Sequence, residues 1–193
     1  WYLVSLNNFD YIFSDGELER YIESKLYDAW ANTKFKGYVY LGPKQKGSFG
    51  EAFVERYMLN RGHTVNKRKN PGHDRLIDDV KTEIKFGLCV TKDKKLLPDS
   101  FILNHISKDK DWERLLFFGI NSLDGDFICL WFNKNDFVNY LNENNCLFKH
   151  QQGGDSIGND DYICTKINDL KELSFVKDIS EWKRKPNLID FML

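Results

Sequence analysis

The sequence lacks the features that define several classes of protein. Its four cysteines are widely spaced and form no CxxC pair, which argues against a zinc site. We expect them to be reduced, mostly buried residues without chemistry of their own. No run of about 18 apolar residues and no signal-peptide pattern is present. We therefore expect a soluble, cytoplasmic protein without a membrane partner.

Internal repeats and low-complexity segments are also missing from the sequence. With 193 residues, 41% of them hydrophobic, the chain is long enough to bury a sizeable core. We predict one domain over residues 1–193. It would consist of an N-terminal helical extension (1–45), a central core (46–165) and a C-terminal tail (166–193).

The chain as a whole has no excess of charge of one sign, since its net charge is −1. The charges are unevenly distributed, however. Residues 34–95 carry 15 Lys and Arg against 7 Asp and Glu, whereas acidic residues predominate in the rest of the chain. A basic segment of this kind is typical of a surface that holds a phosphate backbone. The alternative is that clusters such as residues 67–69 only keep a surface solvated.

Residues 74–85, DRLIDDVKTEIK, contain the most informative pattern in the chain. Two short β-type runs flank Asp78 and Asp79, which predicts a hairpin with these two residues in its turn. In that register Asp74 lies directly opposite Glu83. Directly opposed Cβ atoms are roughly 4.5–5.5 Å apart, and like charges there are destabilising. The two carboxylates therefore need a cation between them.

Strand alternation gives this hairpin two different faces. Lys85 shares a face with Glu83, whereas Ile77 and Ile84 point to the other face and into a core. Two carboxylates and a backbone carbonyl are oxygen ligands of the kind that Mg²⁺ takes. The alternative is a solvated hairpin with ordinary surface charges. The turn signal NPGH directly before Asp74 favours the site.

The spacing of Asp74, Glu83 and Lys85, with Glu51 on an upstream helix, resembles the PD-(D/E)XK nuclease superfamily and, within it, the type II restriction endonucleases. The segment KGSFGEAFVERYMLNRGHTV looks like the family's first core helix and strand. DWERLLFFGINSLDGDFICLWF is similar to its later core strands, and the glycine-rich segment KHQQGGDSIGNDDY recurs in such enzymes. The resemblance covers roughly residues 46–165.

The resemblance implies an α/β (α+β) fold with a central mixed β-sheet flanked by helices, a restriction-endonuclease-like core. It also implies an Mg²⁺-dependent endodeoxyribonuclease that hydrolyses double-stranded DNA at specific sites. The implied metal ligands are Asp74, Glu83, the carbonyl of Ile84, and Glu51. Lys85 would orient or deprotonate the attacking water, or act as a fixed charge on the phosphate. The chain departs from the family pattern at Pro71, which Gly72 and His73 separate from Asp74.

Two alternative functions stay open. A structure-selective repair or recombination nuclease, of the Holliday-junction-resolvase type, would carry the same residues. A catalytically silent DNA-binding protein would keep the fold without turnover. Because two copies of one active site are the simplest way to cut both strands of a symmetric site, we expect a homodimer.

Several side chains are candidates for contacts with DNA. Basic side chains suit phosphates, and Gln and Asn suit adenine edges in the major groove. The candidates are Lys46, Lys67, Arg68, Lys69, His73, Asn104, His150, Gln151 and Gln152. For residues 150–152 the alternative is a plain connecting loop, and for His73 it is a role in the turn.

Hydrophobic periodicity predicts the other elements. Helices are predicted over residues 15–31, 49–60 and 135–142. Strands are predicted over residues 63–69, 115–120, 127–132 and 162–167, and a strand or connecting segment over residues 101–106. Ser48 to Glu51 form a capping-box pattern at the start of the second helix, which gives Glu51 a structural role as the alternative to a role in the site.

Overall fold

The computed structural model describes residues 16–25, 27–68, 71–103, 106–144, 148–150, 161–163 and 170–180. The chain divides into two compact units, residues 1–40 and 41–193. The first unit ends a few residues before the end of the predicted extension. The prediction of a single domain over the whole chain stays a prediction.

The first unit contains helix α1 (Glu17–Lys25) and a short 3-10 turn (Tyr38–Tyr40). The predicted helix over residues 15–31 is too long at its C-terminal end. The Asp28 carboxylate accepts the backbone N–H of Trp30 at 2.9 Å and that of Gly37 at 2.7 Å. An Asp side chain that bonds to backbone N–H groups in this way favours turns over a continued helix. Trp30 is therefore buried in a turn segment, where it packs edge-on against Phe35.

The second unit is built on a mixed six-stranded sheet. Ten strands and two further helices lie within its described residues. The strands are β1 (Val65–Lys67), β2 (Arg75–Ile77), β3 (Val80–Leu88), β4 (Thr91–Lys92), β5 (Lys95–Leu96), β6 (Arg114–Ile120), β7 (Phe127–Asn133), β8 (Phe148–His150), β9 (Asp161–Ile163) and β10 (Lys177–Asp178). The helices are α2 (Pro43–Asn60) and α3 (Lys134–Asn144). The strand order in the sheet is β1-β2-β3-β6-β7-β10, and β4-β5 and β8-β9 form separate hairpins.

The predicted α+β fold with a mixed sheet is confirmed. Strands β3 and β6 are parallel, and the other neighbouring strands of the large sheet are antiparallel. Every residue of β6 is buried, as are the five central residues of β7. The two nearly continuous apolar runs at 115–120 and 127–132 predicted this, because a strand covered on both faces has no polar side to alternate with.

Helices α2 and α3 cover opposite faces of this sheet. On one face, the ring centroid of Phe53 of α2 lies 5.0 Å from that of Phe86 of β3 and 5.2 Å from that of Phe118 of β6. On the other face, the ring centroids of Phe137 of α3 and Phe132 of β7 are 5.0 Å apart. Since side chains alternate between faces along a strand, the register assigns each residue of β3 to the α2 face or the α3 face.

Helix α2 begins earlier than the sequence predicted. Gly42 is its N-cap, and the Gln45 side chain accepts the Gly42 N–H at 3.0 Å. The predicted start at the capping box of Ser48 to Glu51 is wrong, because Pro43 and Gln45 already supply the first turn. Glu51 therefore lies in the helix interior and does not cap a helix.

Other predicted elements differ in extent. In the segment 101–106 only an isolated bridge at Leu103 is described. Residues 170–180, which were predicted to belong to a tail, contribute β10 to the edge of the sheet, where Lys177 pairs with Trp131. A two-residue strand carries no periodicity, so the sequence offered no signal for it. The predicted helix 135–142 is confirmed as α3.

The described part of the cysteine prediction agrees with the structure. Cys89 and Cys129 are free and buried, as expected, whereas Cys146 and Cys164 lie outside the described residues. None of the described helices is long and apolar enough to cross a bilayer.

Candidate active site

The hairpin has the predicted turn, and it has the predicted register between residues 75 and 82. Asp78 and Asp79 both have positive φ, 48° and 67°, which are the two turn positions of a type I′ turn. Asp is among the residues that enter this region of conformational space most readily. The pairs on either side are Ile77 with Val80 and Arg75 with Thr82, as predicted.

Asp78 is anchored on the segment that follows α2. Its carboxylate lies 2.7 Å from His63 Nδ1 and accepts the Thr64 N–H at 2.8 Å and the Thr64 hydroxyl at 3.0 Å. His63 is buried. Asp78 therefore holds the turn in place and has a structural role, as the register predicted.

The β2-β3 ladder ends one residue before the predicted pair of carboxylates. The last paired residues are Arg75 and Thr82, and the Asp74 N–H donates to the Thr82 carbonyl at 3.0 Å. Asp74 is therefore not a regular ladder partner of Glu83. Its Oδ2 instead accepts the backbone N–H of Ile84 at 2.8 Å. The Asp74 carboxylate lies on the edge of β3 that β2 no longer covers.

The same hydrogen bond locates the carbonyl of Ile84. In an extended strand the N–H and C=O of one residue point to the same neighbouring strand. Since the Ile84 N–H points to Asp74, the Ile84 carbonyl faces the same edge. The predicted third oxygen ligand is therefore on the same side of β3 as the Asp74 carboxylate.

Glu83 and Lys85 form an ion pair that is largely withdrawn from solvent. Lys85 Nζ donates to Glu83 Oε1 at 2.7 Å, with 4% of the Glu83 side chain and 18% of the Lys85 side chain exposed. Glu83 is the register partner of Leu115, which pairs with Phe132. The two charged groups therefore share the α3 face. These two charges are therefore less exposed than the charges of an ordinary solvated hairpin.

Glu51 lies on the opposite face and is paired with an arginine. Its Oε2 accepts a hydrogen bond from Arg75 Nη1 at 2.8 Å, while Glu55 Oε2 accepts one from Arg75 Nε at 2.9 Å. Arg75 is the register partner of Thr82, which places it on the α2 face. Burial and the neighbouring Asp74 charge raise the pKa of Glu51, and Arg75 offsets only part of this increase. Glu51 and Asp74 therefore face a common region.

The donor set fits Mg²⁺ in its chemistry. Asp74, Glu83 and the Ile84 carbonyl are all oxygen donors, and Mg²⁺ typically takes one or two carboxylates and keeps several waters. No group of three or more Asp, Glu, His or Cys side chains suited to a metal ion occurs in the described part of the chain. The third predicted carboxylate, Glu51, is held by Arg75. Its role as a metal ligand stays a prediction.

The predicted DNA-contacting residues are placed as follows. Lys67 and Arg68 are exposed at the end of β1, and Arg68 is close enough to lower the pKa of Glu51. Lys46 is half-buried on α2. His73 is buried and its Nδ1 lies 3.2 Å from the Asp111 carbonyl, which favours a role in the turn. His150 is in β8 without a described side chain, and Lys69, Asn104, Gln151 and Gln152 lie outside the described residues.

Sequence reasoning did not single out Arg75 or Glu55. One signal was present, since Glu51 and Glu55 are four residues apart and therefore project from the same side of a helix. Arg75 directly follows Asp74 in the chain, but its contact with α2 spans 20 and 24 residues. Only the packing of α2 on the sheet brings these groups together.

Comparison with known proteins adds no relative. No protein-family model matches this chain, and no curated protein matches its sequence. The case for a function therefore depends on the motif and on the geometry of the hairpin.

Proposed function

We propose that this chain is an Mg²⁺-dependent endodeoxyribonuclease of the type II restriction kind, with a PD-(D/E)XK site at Asp74, Glu83 and Lys85. The observation that carries the proposal is the largely buried Glu83–Lys85 pair on β3, together with the Asp74 carboxylate bonded to the N–H of the residue between them, Ile84. A buried ion pair is weak evidence for stability, because desolvation opposes the attraction between the charges. Ionisable groups kept in such an environment are instead characteristic of functional sites.

The proposed metal ligands are Asp74, Glu83 and the Ile84 carbonyl. Mg²⁺, when bound, supplies positive charge that stabilises the negative charge developing on the phosphate. The bond between Asp74 Oδ2 and the Ile84 N–H holds that carboxylate next to the Ile84 carbonyl before any ion arrives. Such preorganisation lowers the reorganisation needed during the reaction.

Lys85 is the group proposed to act on the water or on the phosphate. Glu83 accepts a hydrogen bond from its Nζ, which restricts a long side chain to one position. As an ammonium, Lys85 holds a phosphate oxygen or orients the attacking water by donating a hydrogen bond. In the alternative role, that of general base, its neutral amine would accept a proton from that water. The carboxylate of Glu83 thus positions the lysine as well as offering oxygen to the metal.

The proposed substrate is double-stranded DNA, bound by a homodimer. The basic residues of the segment 34–95 include Lys67 and Arg68, which are exposed at the end of β1. Contacts of such residues with phosphates release counterions, so binding should weaken steeply as salt is raised. The restriction-endonuclease-like identity of the fold belongs to the same proposal.

The proposal is tested by incubating the protein with sequenced supercoiled plasmids and Mg²⁺ and then sequencing any ends. We expect discrete fragments, and a loss of at least ~100-fold in rate for Lys85→Ala. Lys81→Ala is the matched control, since Lys81 is on the same strand and face but pairs with the exposed Asp111. We expect Lys81→Ala to cut at the wild-type rate.

Four results would count against the proposal. Failure to cut several divergent plasmids, or full activity of Lys85→Ala, contradicts the nuclease assignment. Preferential cutting of a synthetic four-way junction over linear duplex indicates the resolvase alternative. Tight binding of duplex in Mg²⁺, with no ends released over hours, indicates the silent DNA-binding alternative.

A further inference from the structure

The positively charged Arg75 side chain lies between α2 and the hairpin of residues 74–85. Its Nε donates to Glu55 Oε2 at 2.9 Å, and its Nη1 donates to both Glu51 Oε2 and the Asp74 carbonyl at 2.8 Å. One guanidinium thus joins two carboxylates of the helix to the backbone of the residue that the proposed function assigns to the metal. Oxygen atoms arranged in this way would also attract a metal cation.

The contact has the geometry of a strong ion pair. The Arg75 side chain is 17% exposed, and those of Glu51 and Glu55 are 32% and 31% exposed. Burial acts to lower the pKa of Arg75, but the hydrogen bonds and charges of Glu55 and Glu51 raise it above its ordinary value. The arginine is therefore permanently charged, and it neutralises one of the two helix carboxylates.

Glu51 would otherwise be suited to a second ion. Glu51 Oε2 and the Asp74 carbonyl each accept a hydrogen bond from Arg75 Nη1 at 2.8 Å, so the two residues meet at one guanidinium nitrogen. Asp74 Oδ2 bonds the Ile84 N–H at the edge of β3, between the face that carries Glu51 and the face that carries Glu83. An ion at Glu51 would have to compete with the Arg75 guanidinium, which three hydrogen bonds hold against Glu51, Glu55 and the Asp74 carbonyl.

We propose that Arg75 reserves Glu51: it keeps this carboxylate beside Asp74 but outside the metal-ligand set, so that the DNA-free protein binds one divalent cation per site. The inference rests on the proposed function, because it assumes that Asp74 and Glu83 bind the first ion. Arg75 is a positioning residue here, since it acts through Glu51 and touches no substrate. Removal of its charge should open a second cation site.

The test counts Mn²⁺ ions bound to the DNA-free protein by electron paramagnetic resonance, with circular dichroism as a check on folding. Mn²⁺ favours the same octahedral oxygen coordination as Mg²⁺. We expect one bound ion for the wild type and a second for Arg75→Gln. The second ion should be lost in Arg75→Gln/Glu51→Gln and retained in Arg75→Gln/Glu55→Gln. Glu55 is the matched control, because Arg75 also donates to its carboxylate but Glu55 lies one helical turn from Glu51.

A second variant keeps the inference testable if Arg75→Gln does not fold. Glu51→Gln in the wild-type background should leave the affinity of the first Mn²⁺ within about twofold, because Glu51 is not a ligand of that ion. A loss of about tenfold or more, which corresponds to about 1.4 kcal/mol, would show that Glu51 binds the first ion and would overturn the inference.

The outcomes separate this inference from the proposed function. If the wild type binds one ion and Arg75→Gln also binds one, only the inference is wrong. A second ion that persists in Arg75→Gln/Glu51→Gln likewise contradicts it. If the wild type binds no Mn²⁺ without DNA but cuts plasmid in Mg²⁺, the inference is wrong and the proposed function stands, since substrate phosphates can complete such a site. If the protein neither binds Mn²⁺ nor cuts plasmid, both fail.

Discussion

The Asp74 carboxylate accepts the backbone N–H of Ile84 at 2.8 Å, at the point where β2 and β3 cease to pair. The Asp74 side chain thus replaces the next backbone acceptor that β2 would have offered to β3. The Ile84 N–H therefore has an acceptor, and a carboxylate oxygen lies on the same edge as the Ile84 carbonyl. Several measurable consequences depend on this contact and on the packing around it.

Asp74→Asn should separate the metal-binding role of Asp74 from its structural role. An amide oxygen still accepts the Ile84 N–H, so we expect stability to change little, whereas the charge available to a cation is lost. Asp74→Ala removes both, and should lower the free energy of unfolding by about 1–2 kcal/mol. Urea unfolding and Mn²⁺ titration of the two variants measure the two effects. Equal Mn²⁺ affinity of Asp74→Asn and wild type would contradict the ligand assignment.

The Glu83–Lys85 pair should show strong coupling in a double-mutant cycle. Either Glu83→Gln or Lys85→Met leaves a largely buried charge without its partner, which destabilises a protein. The double variant leaves no such charge. We therefore expect the double variant to be destabilised by about 1–3 kcal/mol less than the sum of the two single effects. All three variants should be inactive in DNA cleavage. Additive effects in urea unfolding would contradict a direct interaction.

Asp78 should make stability depend on acid pH. Burial acts to raise the pKa of Asp78, but hydrogen bonds from His63 and Thr64 outweigh it and hold the pKa below its ordinary value. A carboxyl with a lowered folded-state pKa contributes stability above its unfolded pKa, near 3.9, and this contribution is lost as the pH falls through the folded value. The stability advantage of the wild type over Asp78→Asn should therefore decrease below about pH 4.

This comparison retains the turn, because Asn also enters the positive-φ region. Asp79→Asn removes a charge from the same turn and is the control for that change. Stability measured by thermal unfolding at several pH values gives the result. An Asp78→Asn difference that stays constant from neutral to acid pH would contradict the assigned contacts.

Gly50→Ala should destabilise the packing of α2 on β3. A Cβ at residue 50 would lie 2.5 Å from the Cβ of Phe86, and neither atom can move without shifting its backbone. Overpacking of this kind typically lowers stability by about 1–3 kcal/mol, which exceeds the gain of about 1 kcal/mol from replacing Gly by Ala in a helix. In the same helix, nothing lies within 4 Å of a Cβ at Gly47.

Gly47→Ala is therefore the matched control for Gly50→Ala. It should raise stability by about 0.5–1 kcal/mol, so the two substitutions should have opposite signs in urea unfolding. If both stabilise the protein, α2 does not approach β3 as closely as the structure describes.

The start of α2 was predicted at the wrong residue, although a local signal for the observed start was present in the sequence. Pro43 suits the first position of a helix, whereas the prediction used only the capping-box pattern at Ser48 to Glu51. The two signals are only a few residues apart, and local preferences alone do not rank them. The first residues of α2 are largely exposed, and Pro43 and the bond from the Gly42 N–H to Gln45 start the helix there. Packing against Phe86 and Phe118 comes further along, at Phe53.

The sequence by itself determined the hairpin. Two turn residues that tolerate positive φ, flanked by β-type runs, allow one register, and that register assigns Ile77, Glu83 and Lys85 to their faces. It also determined the paired buried strands β6 and β7, because continuous apolar runs require cover on both sides. These features depend on neighbouring residues, so they can be read locally.

Only the tertiary structure decided which groups surround Asp74. The ladder ends before the predicted Asp74–Glu83 pair, and the Ile84 N–H takes the Asp74 carboxylate instead. Arg75 reaches Glu51 because α2 packs on the face of β2 and β3 to which Arg75 points. Contacts of this kind join residues far apart in the chain, and their energy depends on burial and on the direction of each side chain. Sequence spacing carries neither quantity.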